Sequence, residues 1–548
     1  MKRGTQPAVL GIAIAALLVM TVAPAAIVAT EPAEENEFEG AELRPFQLER
    51  LSHDGPVATT AGGALVTPDS PEEDMEPCIT DDRNGHTVVT WTHRAGTFDA
   101  DIGMAYSSDG TAWESTLITM DGMELHSDVA YVHGSDFEGG GDFTGLWGCF
   151  GDIVNNNPGF FRIADITDSG TYEFYTWSSE YEDTRYTCIS DHTWYNEFNY
   201  DVTGPTNMYI YHVVYDVYDI PACPSHWYVG GALEGGGIGY FDAQSKVVTA
   251  PAADPDMACF HDNDPAQTED DYIILTWQYD NQTTGGSEVV VKKIVPNEEP
   301  DIEYTPYQYY LDQDPTYDNA HPNIGSSGDN AVIVYMTTDN VFGDWDIKCA
   351  YTSDGGENWG FSTVASEGQT DELYPAVFMS GSTAFCAYIM DGNLYVTKSE
   401  DGGATWNEAE QINEEDGTVV EEENAVDIHQ SGIVWVDNRD GNKDIYYAPV
   451  PSAILEITGL SGGFGVSATI TNSGTVAAEN VEWAVELSGP VFVGASTSGT
   501  IDQLGPGESA TVGPGLVLGV GPTTITVTAG GSSTSASGFV LGPFVLGL

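Results

Sequence analysis

Basic residues are scarce in this sequence: 15 Lys and Arg stand against 85 Asp and Glu in 548 residues, a formal net charge of -70. Such a chain repels a polyanion, which excludes nucleic-acid binding and electrostatic attraction to an anionic bilayer. Compaction against that self-repulsion calls for screening ions or bound divalent cations, so a salty or calcium-containing medium is its natural setting. Cysteine is sparse too. Cys78, Cys149, Cys188, Cys223, Cys259, Cys349 and Cys386 have no zinc-finger spacing and are too irregular for a disulfide scaffold, which leaves buried small hydrophobes and room for one bridge such as Cys188 with Cys223. No Ser-His-Asp constellation, phosphate loop or dinucleotide fingerprint is present.

Long apolar runs are absent except at the start. Lys2 and Arg3 precede an apolar stretch from Pro7 to Ala29 that includes Ala23-Pro24-Ala25, a small-residue cleavage pattern. Residues 1–30 therefore read as a secretory signal or, left uncleaved, an N-terminal anchor, and any membrane contact is expected only through them. Residues 31–54 read as an acidic linker. The remainder, 41% hydrophobic with 62 Gly and 28 Pro, is too long for one core and too apolar for disorder.

Internal repeats organise that remainder. Thr352-Ser353-Asp354-Gly355-Gly356-Glu357-Asn358-Trp359 recurs 47 residues on as Ser399-Glu400-Asp401-Gly402-Gly403-Ala404-Thr405-Trp406, and Ser107 to Trp113 is a shorter copy. Each follows a strand-like run and offers Asp and Gly for a tight turn, with a Trp able to pack beneath it. A second column recurs seven times at intervals of 49 to 71 residues, opening on a large residue followed two positions later by a small one and then Ile, Val or Phe. Its members start at Glu76, His126, Tyr186, Met257, His321, Tyr374 and Glu423. After most of them comes a β-rich run ending in an aromatic, as in Val88 to Trp91 and Gly432 to Trp435. This predicts seven four-stranded units over residues 55–450, the last completed by a strand near Gly55 to Val66. From Ala453 onward Lys and Arg vanish and alternating strands such as Val466 to Thr471 and Thr523 to Val527 predict a small sandwich over residues 451–548.

The repeats resemble the Asp-box, or BNR repeat, of sialidase-like β-propellers, carried here by Asp109 and Trp113, Asp354 and Trp359, and Asp401 and Trp406. The resemblance implies an all-β propeller in which these residues are structural, and the seven units counted above make it seven-bladed. It also implies that the turns join the third and fourth strands of a blade, away from the site. Trp435 to Tyr446 resembles a second repeat of secreted prokaryotic propellers, and the tail is similar to Ig-like CARDB or DUF11 modules of surface proteins.

In a propeller the start of each first strand surrounds one mouth of the channel, together with the loops joining second and third strands. That places Glu76, His93, Arg94, His126, Arg185, Tyr186, His321, Tyr374, Glu423, Asp437 and Arg439 as candidate ligand-binding residues. Closure of the ring makes Glu76 and Glu423 neighbours. Asp437, Asp440 and Asp444 are candidate metal ligands, with Ca²⁺ the ion that closely spaced oxygens suit, while a zinc pair from His126 and His321 lies across several blades. The expected function is a secreted or surface-attached binding component for an extracellular glycan or surface protein. The alternative is a sialidase-like glycoside hydrolase, for which the resemblance implies Tyr186 or Tyr374 as nucleophile, Glu76 or Glu423 as its partner, and a clamp from Arg94, Arg185 and Arg439.

Overall fold

A computed structural model describes residues 27–28, 41–51, 63–67, 71–96, 99–120, 122–132, 145–152, 159–177, 184–189, 210–216, 225–233, 237–242, 252–260, 272–281, 286–294, 308–311, 316–451, 455–472, 478–505, 507–530 and 532–547. The apolar stretch up to residue 26, most of the acidic linker, residues 55–62 and Cys223 lie outside them, as do the side chains of His126, Arg185, Tyr186 and Cys188. Among the described residues the chain is all-β apart from one short 3-10 turn at Ser169–Thr171, and no helix is long and apolar enough to cross a membrane.

Seven antiparallel sheets succeed one another, with strands spanning residues 73–119, 124–177, 184–242, 252–310, 319–365, 372–411 and 426–448. Residues 47–51 add an outer strand to the first, and 41–43 to the second. The seventh sheet supplies only three strands of its own. Its fourth is Ala64–Leu65, which pairs with Asp444–Ala448 so that Leu65 faces Tyr446 and Ala64 faces Tyr447. Pairing this short strand covers an edge that would otherwise present open N–H and C=O groups.

The first strand of each sheet touches the first strand of the next, and that of the seventh touches that of the first. The result is a propeller-like ring. Side chains on the first strands pin it, because Asp256 Oδ2 accepts from Ile324 N at 2.8 Å, Asn323 Oδ1 from Val377 N at 2.7 Å and Asp427 Oδ2 from Ile79 N at 2.8 Å. Between sheets lies an apolar filling in which the aromatic that ends each β-rich run is buried, as at Trp91, Trp277, Tyr335, Tyr388 and Trp435. Fully removing such rings from water contributes about 1.5–3 kcal/mol each.

The three Ser/Thr-x-Asp turns lie between the third and fourth strands of the first, fifth and sixth sheets. In the last of them Asp401 accepts from Thr405 N at 2.8 Å and from Thr405 Oγ1 at 2.7 Å, while Ser399 Oγ accepts from Gly403 N at 2.9 Å. Gly403 has φ +94°, and a Cβ there would stand 2.6 Å from Val332 Cγ1 of the preceding sheet. Trp406 reaches back to donate to Ser362 Oγ at 3.2 Å, and Trp113 packs its ring 5.1 Å from that of Tyr447. The turns thus fasten each sheet to its predecessor, and glycine is required because the contact leaves no room for a side chain.

Residues 455–546 form two further sheets around one core that includes Ile470, Val485, Ile525, Val527 and Val540. Burial alternates along Leu518–Ala529, so one face packs inward while the other is exposed.

Candidate functional site

The opening of the first strand is irregular in six sheets, and in four of them the slip holds a proline. Pairing slips between Met75 and Cys78, Ala253 and Asp256, Ala320 and Asn323, and Leu373 and Ala376. Each slip contains an X-Pro pair whose first residue has positive φ: Glu76 at 54°, Asp254 at 49°, His321 at 48° and Tyr374 at 50°. A proline at a bulge costs the ladder no hydrogen bond. Left-handed backbone at a non-glycine residue costs about 1–2 kcal/mol, so the surrounding sheet must enforce it. The extra residue re-aims the side chain out of the strand's alternation.

This register revises the expectation for the fourth sheet. The residue equivalent to Glu76, His321 and Tyr374 is Asp254, three positions before Met257, whose side chain is buried in the core. A motif keyed to a small third residue favoured Ala258 and Cys259, whereas the X-Pro pair Asp254-Pro255 is the signal that marks the bulge. In the seventh sheet Asp427 lies opposite Val434, just before Trp435, and occupies the ring-pinning position, four residues after Glu423.

The re-aimed side chains meet at the ring's opening end. His321 Nδ1 lies 2.6 Å from Asp254 Oδ2, and the His321 ring packs edge-on against Tyr374 with centroids 4.9 Å apart. Asp254, His321 and Glu423 each bring a ligand atom within 4.8 Å of the other two. Burial, a hydrogen bond and charge from Asp254, and the charge of Glu76 hold the Glu423 carboxyl well above the usual carboxylate range. Burial together with the charges of Glu423 and Asp254 likewise raises the Tyr374 phenol. Glu76 accepts from Thr92 Oγ1 at 2.6 Å. Five of the seven sheets thus contribute to one acidic, ring-bearing cluster, and the Glu76 and Glu423 side chains expected there belong to it.

Other candidates are held elsewhere. His93 Nδ1 is 2.7 Å from Asp74, which also accepts from Trp91 Nε1 at 2.7 Å. Arg94 sits opposite Glu73 at the end of its strand. Asp437 is fully buried and accepts from Arg439 Nη2 at 2.5 Å and Nε at 3.0 Å, from Trp435 Nε1 at 3.1 Å and from Thr418 Oγ1 at 3.0 Å. Burial alone would raise its pKa, but these donors outweigh it and hold the carboxyl below the usual range. The Arg439 guanidinium is also stacked 4.0 Å over the Tyr446 ring, so both of its prongs are committed. Asp440 accepts from Tyr446 Oη at 2.8 Å and Asp444 from Asn442 Nδ2 at 3.0 Å. The trio Asp437, Asp440 and Asp444 therefore does not gather into one oxygen cage: among the described residues the group with metal-ligand spacing is Asp254, His321 and Glu423. The side chains of His126, Arg185 and Tyr186 lie outside the described residues.

No family model matches the chain, and no curated protein does. Solved structures do. A protein of unknown function from Dyadobacter fermentans aligns at 10% identity over 72% of this chain and 98% of its own, with a TM-score of 0.36. A thermostable family-43 glycoside hydrolase aligns at 10% identity over 73% and 99%, TM-score 0.29. An endo-arabinase from Bacteroides thetaiotaomicron aligns at 10% over 64% and 96%, TM-score 0.28.

Proposed function

We propose that this chain is an exported or surface-attached seven-bladed Asp-box β-propeller with an Ig-like tail, and that it binds an extracellular glycan at the channel mouth. The observation that carries this reading is the convergence of Glu76, Asp254, His321, Tyr374 and Glu423 from five sheets on one end of the ring. Carboxylates accept hydrogen bonds from sugar hydroxyls, and a Tyr or His ring offers its face to the apolar side of a pyranose. The acidic excess and the apolar N-terminal stretch support an extracellular setting. Because the Asp254, His321 and Tyr374 backbones sit at bulges built into the ring, the cup is formed before ligand arrives, which spares ordering entropy on binding.

A second reading, glycoside hydrolysis, is favoured by one observation: the Glu423 carboxyl feels the charge of Glu76 from the sheet joined to its own at the closure. Two carboxyls flanking the scissile bond are what that chemistry requires. A glycan array run beside turnover assays on fluorogenic glycosides tests both. Saturable glycan binding that is weakened by Glu76→Gln and Tyr374→Phe, without turnover, supports the binding reading. Hydrolysis abolished by Glu76→Gln replaces it with the second. Absence of both, or capture of a surface protein by the propeller in place of any glycan, refutes both.

A further inference from the structure

We propose that Asp254, His321 and Glu423 form a binding site for a first-row divalent ion of the zinc or manganese type. The three side chains come from different sheets and supply an imidazole nitrogen and two carboxylate oxygens, all within 4.8 Å of one another. That is the span a single ion bridges, since metal–nitrogen and metal–oxygen bonds of about 2.0–2.2 Å place neighbouring ligands roughly 3–4 Å apart. One nitrogen and two oxygens suit zinc or manganese better than calcium, which takes six to eight oxygens. Three protein ligands also leave a coordination position open to water or to a ligand hydroxyl.

The surroundings fit a metal centre in three further respects. The imidazole is packed from outside the triad by the Tyr374 ring, edge-on with centroids 4.9 Å apart, while the His321 backbone N donates to Gln278 Oε1 at 3.3 Å and holds the bulge that carries it. Glu423 Oε1 is buried and has no hydrogen-bond partner, although a buried carboxylate oxygen without a donor is costly. Two of the three ligands are carboxyls, from Asp254 and Glu423, so the triad brings together acidic groups whose charge a divalent cation would offset. Contrast Asp437, equally acidic in sequence, whose oxygens are taken by Arg439, Trp435 and Thr418: there the countercharge is part of the chain.

The site shares the mouth proposed for glycan binding but rests on ligand geometry alone. The test uses the full chain, stripped with a chelator and titrated with Zn²⁺ or Mn²⁺ alone by calorimetry, in salt and excess Mg²⁺ to saturate the diffuse acidic surface. The expected result is one tight site per chain, with affinity falling at least about tenfold in His321→Ala and in Glu423→Gln but not in His86→Ala, a histidine paired with Asp82 at 2.6 Å away from the triad. Should His321→Ala unfold the ring, Co²⁺ bound to the wild type gives visible d–d bands, and His321→Gln, which retains bulk and polarity, must shift them. No tight site, or a site indifferent to both substitutions, overturns the inference. Since no sugar enters the experiment, its failure leaves the glycan reading standing, and a failed glycan array leaves the metal site standing.

Discussion

Replacing Asp437 by Ala isolates what the buried clamp contributes to the seventh sheet. In the wild type this fully buried carboxylate accepts from Arg439 Nη2, Nε and N, from Trp435 Nε1 and from Thr418 Oγ1 at 2.5–3.1 Å. The substitution leaves a guanidinium that is only 12% exposed without its countercharge. Breaking a buried pair from one side costs about 3–5 kcal/mol, and the orphaned indole N–H of fully buried Trp435 places the loss toward the upper end. The Asp437 carboxyl is held below its ordinary value of 3.8, so its contribution is complete at pH 7 and fades only as pH falls below that value. Equilibrium urea unfolding at pH 7, followed by tryptophan fluorescence, should show that loss in Asp437→Ala. Arg439→Met should be costly alone, yet the double mutant should lose less than the sum, giving a coupling above about 1 kcal/mol. A single-mutant loss under about 1 kcal/mol, or no coupling, would refute a structural clamp. A gain in stability would point instead to a pair kept for a ligand, since functional groups are commonly maintained at the expense of stability.

Two further outcomes follow from particular residues. Glu372 is fully buried, Glu367 N donates to its Oε1 at 2.9 Å, and burial, opposed by that bond and reinforced by Asp346 and Asp344, pushes it up to about 7. The Glu372 contribution to stability should therefore be greatest below pH 4.5, decline between 4.5 and 7 as the unfolded chain ionises first, and level off above 7, a loss of about 3 kcal/mol from this group. Glu372→Gln should flatten this slope and be the more stable protein at pH 8, and identical pH profiles for the two proteins would contradict the assignment. Asp401→Ala removes the acceptor for Thr405 N and Oγ1; it should lower the unfolding midpoint while glycan affinity per folded molecule is unchanged, and a mutant of native stability that no longer binds would move the turn into the site.

What could be read from the chain divides along a physical line. Turns such as Ser399 to Trp406 are legible because their hydrogen bonds join residues two to four apart, so the chemistry is written locally. The clamp of Arg439 on Asp437 is as local, joining residues two apart, yet both residues were expected at the mouth, because the pattern does not say which carboxylate a guanidinium serves. The cluster of Asp254, His321 and Glu423 is not, because its members are separated by long stretches and meet only after the sheets close into a ring. Glu423 and His321 could be named one by one from the opening motif, but Asp254 was displaced by Met257, since a small-then-apolar pattern does not distinguish a bulge from ordinary strand. The X-Pro pairs at Glu76, Asp254, His321 and Tyr374 do distinguish it, and they mark the positions where φ turns positive.

The joint between the two ends of the ring sets the order of events in making this protein. Thr67 Oγ1 and Asp444 Oδ1 meet across 377 residues, a separation whose loop-closure entropy amounts to about 5 kcal/mol. During synthesis residues 63–67 emerge early and find no partner until the last sheet follows, so for most of translation two strand edges stay open at once. Each is a surface on which a second nascent chain can pair. Once the joint forms, however, opening any one sheet leaves its neighbours held from the other direction, and unfolding must break two interfaces where an open row of sheets would break one. The same short strand thus makes the ring slow and exposed in its formation and durable afterwards, a trade suited to a protein that is made once and then left unattended.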